Sequence, residues 1–128
     1  MQVIFNIDKQ HTLGKPMAIA LGAFDGIHIG HQMLVQQLKY IQKTMGCSSL
    51  VYTFLNNPRE LLSPENAPSR IMTLSERISK LSKFDIDFLV LNPFDEKLAS
   101  MSPQDFIVDK LMKNYNVKYI VVGYDFRF

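Results

Sequence analysis

Apolar residues along this chain follow two alternating rhythms. Five short runs, Val3 to Ile7, Met17 to Phe24, Ser49 to Leu55, Phe88 to Leu91 and Val117 to Val122, have the length and side-chain type of strands, with Ala18 to Leu21 and Phe88 to Leu91 apolar enough to be buried. Between them apolar residues recur at steps of three and four, as on one face of a helix. The second run is followed by Leu34, Leu38, Ile41 and Met45, the third by Leu74, Ile78 and Leu81, and the fourth by Ile107, Leu111, Met112 and Tyr115. The punctuation agrees with this division. Gly14-Lys15-Pro16 interrupts the chain before the second strand, and the helix over about 31–45 stops at Gly46. Thr73 with Glu76 three residues on has the form of a capping box, while Ser102-Pro103 with Asp105 places a capping hydroxyl, a proline and an acid where a helix starts. Asn56 to Ser69 holds three prolines and reads as a loop. Strand and helix alternating in this way predict an α/β fold, a Rossmann-like open parallel sheet with helices on both faces.

Composition narrows the classes. With 128 residues, 47% hydrophobic and 20% charged, the chain has the profile of one ordinary globular domain, and no linker, repeat or low-complexity stretch divides it. A formal charge of +2 and no basic patch interleaved with aromatics argue against nucleic acid as a partner. No apolar run approaches the ~20 residues of a membrane span. The first nine residues lack the charged start and apolar core of a signal peptide, and the one cysteine forms no internal disulfide. The expectation is a cytoplasmic protein.

Candidate chemistry gathers at the end of the second run. Gly22-Ala23-Phe24-Asp25-Gly26-Ile27-His28-Ile29-Gly30-His31 sets three glycines and two imidazoles where a strand gives way to a helix. Backbone N–H groups at a helix start, with the dipole behind them, favour an anion. His28 and His31, three residues apart, face the same way on a first helical turn and can donate to phosphate oxygens whose charge grows during transfer. A glycine-rich turn is also compatible with a turn and nothing more. A zinc site is the other reading of paired histidines, but no third ligand stands at metal spacing and Cys47 lies beyond the helix. Two further strand ends carry unusual residues, Asn56-Asn57-Pro58 and Gly123-Tyr124-Asp125-Phe126-Arg127-Phe128. Ligands of open parallel sheets bind at the carboxyl ends of strands, so these loops are expected to converge.

The G-x-F-D-G-x-H-x-G-H run resembles the adenylyltransferase module of bacterial bifunctional riboflavin kinase and FAD synthetase, within the H-x-G-H nucleotidyltransferases. Three further stretches strengthen the resemblance: Thr53 to Pro58 with Leu61-Leu62, Leu98 to Phe106, and Val121 to Phe128. The resemblance implies transfer of AMP from ATP to FMN, giving FAD and pyrophosphate, with Mg²⁺ accompanying the nucleotide. It implies His28 and His31 as catalytic residues, with Gly22, Ala23, Phe24, Asp25 and Gly30 beside them at the ATP phosphates. Asn56, Asn57, Pro58, Asp125 and Phe128 would border the flavin. On the residues alone, Asp125 is equally a turn cap and Phe128 equally an aromatic tucked against the sheet edge.

The chain departs from the family pattern in two places. Asn56 and Asn57 stand where the family reads Pro and His, and the sequence stops at Phe128, where the family continues into more sheet, a segment gripping the ATP phosphates and a kinase domain. The expectation is therefore a single nucleotidyltransferase-like domain over 1–128, its sheet incomplete at the C-terminal end and its outer strand open to self-association. A non-catalytic flavin- or nucleotide-binding module and a cytidylyltransferase-type enzyme remain as alternatives.

Overall fold

The computed structural model describes residues 1–5, 15–24, 27, 29–56, 72–113 and 115–123. In chain order these form β1 (Gln2–Phe5), β2 (Met17–Leu21), α1 (Ile29–Met45), β3 (Ser48–Phe54), α2 (Leu74–Ser82) and β4 (Phe88–Asn92). A short α3 (Glu96–Ala99) and α4 (Pro103–Phe106) follow, the latter widening into a π-helical stretch over Ile107–Met112, and β5 (Val117–Val122) comes last. The five strands make one sheet in the order β1-β4-β3-β2-β5, each pairing parallel. From β2 the chain winds through β3 to β4, then crosses back to lay β5 on the other side of β2. The winding direction therefore reverses between β2 and β5, and the carboxyl end of β2 opens at that switch point.

Two apolar layers sandwich the sheet. On one face Ala18, Ala20, Val51, Leu89 and Leu91 meet Val35 and Leu38 of α1 and Leu81 of α2. On the other Met17, Ile19, Leu21, Leu50, Tyr52 and Phe54 meet Leu98, Phe106 and Leu111. Strand residues alternate between the layers because successive side chains leave a strand on opposite sides. Every residue of β2 and β3 is buried, as a central parallel strand requires. Each large side chain buried this way contributes about 1.5–3 kcal/mol. The register between β2 and β5 slips between Met17, opposite Val117, and Ala18, opposite Tyr119. Lys118 is thus an extra residue, and the slip lets Val117 and Ile120 share one layer while Tyr119 packs in the other.

The helix punctuation agrees with the sequence reading. Thr73 Oγ1 accepts from the Glu76 N–H at 3.1 Å, and its hydroxyl donates back to the Glu76 carboxylate. Ser102 Oγ accepts from the Asp105 N–H with Pro103 as the first helical residue. Gly46 ends α1 at φ 68°, a left-handed conformation that suits glycine. Differences fall at boundaries. The second strand ends at Leu21 rather than Phe24, α1 begins at Ile29 rather than His31, and the strand expected at Val3 to Ile7 runs over Gln2–Phe5, with Ile7 outside the described residues. In α1 the buried positions are Val35 and Leu38, whereas Met45 is exposed; Met112 is likewise exposed. The short α3, capped by Asp95 Oδ1 accepting from the Leu98 N–H at 2.8 Å, is not signalled by periodicity because four residues are too few to show one.

At the end of the π-helical segment Tyr115 is buried, and its hydroxyl has no hydrogen-bond partner among the described residues. Burial, and to a lesser degree the neighbouring Tyr52 phenol, pushes its pKa well above the usual value of 10.0. A phenol easier to ionise in the unfolded chain than in the folded one leaves stability intact below about pH 10 and erodes it above. Chemical denaturation of Tyr115→Phe should therefore show an unchanged or higher midpoint at pH 7 and a flatter loss of stability above pH 10. A wild-type alkaline limb retained in the variant would contradict this account.

Candidate functional site

Leu21 is the last paired residue of β2, and Gly22 still donates its N–H to the Tyr52 carbonyl at 3.3 Å. The chain then turns sharply. Phe24 sits at φ 52° and Ile27 at φ 40°, two non-glycine residues in the left-handed region within four positions. Such conformations cost on the order of 1–3 kcal/mol each and persist only where surrounding contacts enforce them.

Those contacts are visible. The Ala23 carbonyl accepts from Thr53 Oγ1 at 2.8 Å and from Arg77 Nη1 at 3.1 Å, so β3 and α2 both hold it. Phe24 is fully buried, and its ring lies against the His31 imidazole with centroids 4.9 Å apart and planes tilted by 35°. The Ile27 carbonyl accepts from Gln32 Nε2 at 3.3 Å, tying the turn to the helix it feeds. Gly22 leaves room for this arrangement: a Cβ there would stand 2.9 Å from Phe24 Cε2. Beyond the turn α1 begins at Ile29 with its positive dipole end at the mouth of β2. His31, half-buried, is in its first turn.

Asn56 follows the end of β3, one strand away. Its Nδ2 donates to the Phe94 carbonyl at 2.9 Å and its Oδ1 accepts from the Phe94 N–H at 2.7 Å, so one carboxamide engages both main-chain polar groups of Phe94 just after β4. Nearby, the Leu55 N–H donates to the Asn92 carbonyl at 2.9 Å, and Asn92 Nδ2 donates to the buried Tyr52 hydroxyl at 2.8 Å. The carboxyl ends of β2, β3 and β4 are thereby joined by specific hydrogen bonds.

Of the residues singled out from sequence, Gly22, Ala23 and Phe24 lie just after β2, Gly30 and His31 lie in the first turn of α1, and Asn56 lies beyond β3. Asp25, His28, Asn57, Pro58, Asp125 and Phe128 lie outside the described residues. Among the described residues no group of three or more His, Cys, Asp or Glu side chains is arranged to hold a metal ion. Arg77 and Thr53 were missed. A signal existed for each: Arg77 falls inside the apolar stripe Leu74, Ile78, Leu81, and Thr53 interrupts the apolar run of β3.

Comparison with known proteins gives the family. Residues 10–128 match the family model described as FAD synthetase, and the chain belongs to that family. Along its whole length it is 34% identical to the bifunctional riboflavin kinase/FMN adenylyltransferase of Buchnera aphidicola subsp. Acyrthosiphon pisum (strain APS), spanning 41% of that protein. It is 36% identical over 110 residues to the protein of the same name from Escherichia coli (strain K12), covering 86% of this chain and 35% of the relative. A solved structure described as a macrolide-efflux protein from Streptococcus pneumoniae superposes with a TM-score of 0.85 at 30% identity, covering 100% of this chain and 50% of that one. The chain thus spans well under half the length of the curated relatives it matches. No helix among the described residues is long and apolar enough to cross a membrane.

The fit of Phe24 against Gly22 makes a direct test. Gly22→Ala should lower the denaturation midpoint by the equivalent of about 1–3 kcal/mol, because a fully buried ring has no open space to yield into. An unaltered midpoint would show that the ring moves freely and that the close approach is unimportant.

Proposed function

We propose that this chain carries the FMN adenylyltransferase activity named for its relatives, joining AMP from ATP to FMN with release of pyrophosphate. The observation carrying the reading is the turn between β2 and α1, strained at Phe24 and Ile27, held from behind through Ala23 and flanked by His31 at the switch point of a parallel sheet. A turn of that kind at a helix start suits the phosphate tail of a nucleotide.

On this reading the FMN phosphate attacks the α-phosphorus of ATP in line as the bond to pyrophosphate breaks. The protein's part is to align the two anions and offset charge, without a covalent intermediate. The His31 ring, steadied by Phe24, donates to a phosphate oxygen, and the start of α1 adds its dipole. His28, by its place in the H-x-G-H motif, would share that role, and Asp25 and Gly30 would line the same cradle. The flavin would lie along the loops after β3 and β5, where Asn56, Asn57, Pro58, Asp125 and Phe128 stand in sequence. Mg²⁺ would arrive on the triphosphate itself. The compartment would be the cytoplasm, where a lone buried thiol such as Cys47 stays reduced.

Incubation of the chain with FMN, ATP and Mg²⁺ should yield FAD, resolved from FMN by chromatography. His31→Ala should lower the rate by about 10²–10³-fold, the usual effect of deleting one donor to a developing oxyanion. No product at high protein concentration, with flavin still bound, would replace the proposal with a binding module. Turnover with CTP and a phosphorylated alcohol, but not with ATP and FMN, would replace it with a cytidylyltransferase.

A further inference from the structure

Arg77 is a charged residue set into the buried side of α2, only 8% exposed. Its guanidinium fork spans two loops: Nη1 lies 3.1 Å from the Ala23 carbonyl and Nη2 lies 3.4 Å from the Leu55 carbonyl. Ala23 belongs to the turn assigned to the nucleotide, whereas Leu55 directly precedes Asn56 on the flavin side. Together with Thr53 Oγ1 at 2.8 Å, Arg77 Nη1 fills both acceptor positions of the Ala23 oxygen. The consequence is orientational. Drawing the Ala23 carbonyl back toward β3 and α2 fixes the plane of the peptide between Ala23 and Phe24, and with it the direction in which the buried Phe24 ring leaves the turn toward His31.

We infer that Arg77 is a positioning residue of the transfer reaction, fixing the peptide between Ala23 and Phe24 and with it the buried Phe24 ring that backs His31, and holding the nucleotide turn in register with the flavin loop through Leu55. The catalytic half of this inference rests on the proposed adenylyltransferase reading. Arginine suits the task because its planar fork reaches two acceptors in fixed geometry, whereas the compact ammonium of lysine cannot span both. The guanidinium acts through backbone, touching neither substrate. The joint continues past Leu55, since Asn56 clamps Phe94, so the ends of three neighbouring strands move as one body.

The test uses Arg77→Lys and Arg77→Met in the whole chain, with two independent readouts. Amide hydrogen exchange of the ligand-free protein should show the amides of Gly22 to Phe24 exchanging faster in both variants, by on the order of tenfold or more, while the centre of α1 keeps wild-type protection. Steady-state kinetics should show kcat falling on the order of tenfold or more in Arg77→Lys, even though its circular dichroism and melting temperature stay close to wild type. A purely structural role would lower the melting temperature while leaving kcat and KM of the folded protein unchanged, and that result overturns the inference. Wild-type exchange at Gly22 to Phe24 in Arg77→Lys overturns it as well, whether or not Arg77→Met folds. If wild type forms no FAD, the functional reading fails by itself, and the exchange measurement still decides whether Arg77 fixes the turn.

Discussion

The carbonyl oxygen of Ala23 is the point on which the site depends. A carbonyl at the end of a buried strand needs partners, and here a hydroxyl from the neighbouring strand and a guanidinium from the next helix supply them. Those two donors anchor the turn on the side of Phe24, while the Gln32 bond to the Ile27 carbonyl holds its far end, so the left-handed conformations at both residues are enforced from two directions. Strain at the turn and order in the sheet behind it are therefore one arrangement.

The sheet makes this possible by being asymmetric. On the face that receives α1, the residues of β2 are Ala18 and Ala20, whereas the opposite face carries Met17, Ile19 and Leu21. Small side chains let α1 lie close over β2, which keeps the start of the helix near the end of the strand. Larger residues fill the other layer, where shorter helical pieces and the π-helical segment ending near Tyr115 leave more irregular space. The parallel pairing brings all these strand ends to one edge, and the reversal of winding between β2 and β5 falls beside the turn.

Much of this was legible in the sequence. The apolar runs of β2, β3 and β4 and the helical stripes between them are direct imprints of burial, whereas β1 and β5 are only partly buried, and the caps at Thr73 and Ser102 are local chemistry that needs no tertiary context. The turn between β2 and α1 was legible for the same reason, as a cluster of glycine and histidine at a change of period. What escaped depends on distant pairing. The strand expected to run to Phe24 stops at Leu21 because Phe24 takes a left-handed conformation, and an apolar residue gives no sign of that. Arg77 reads as an interruption of a stripe until its partners, 54 and 22 positions earlier, are brought beside it. Lys118 reads as an exposed residue of an ordinary strand until the register of β5 against β2 shows that it is an insertion. The second histidine of the pair could be followed into its place against Phe24; His28 and the tail after Gly123 lie outside the described residues.

The carboxamide of Asn56 offers an amide nitrogen that donates and a carbonyl oxygen that accepts, the same two kinds of group as a peptide unit, and it uses one bond of each kind on a single residue after β4. In effect the ladder between β3 and β4 gains a rung made from a side chain after the backbone strands have parted. Proline, which stands at this position in the family pattern, has no such group to give. Rotating one torsion of Asn56 would undo both bonds at once, so the ends of β3 and β4 are fastened here by a single side chain.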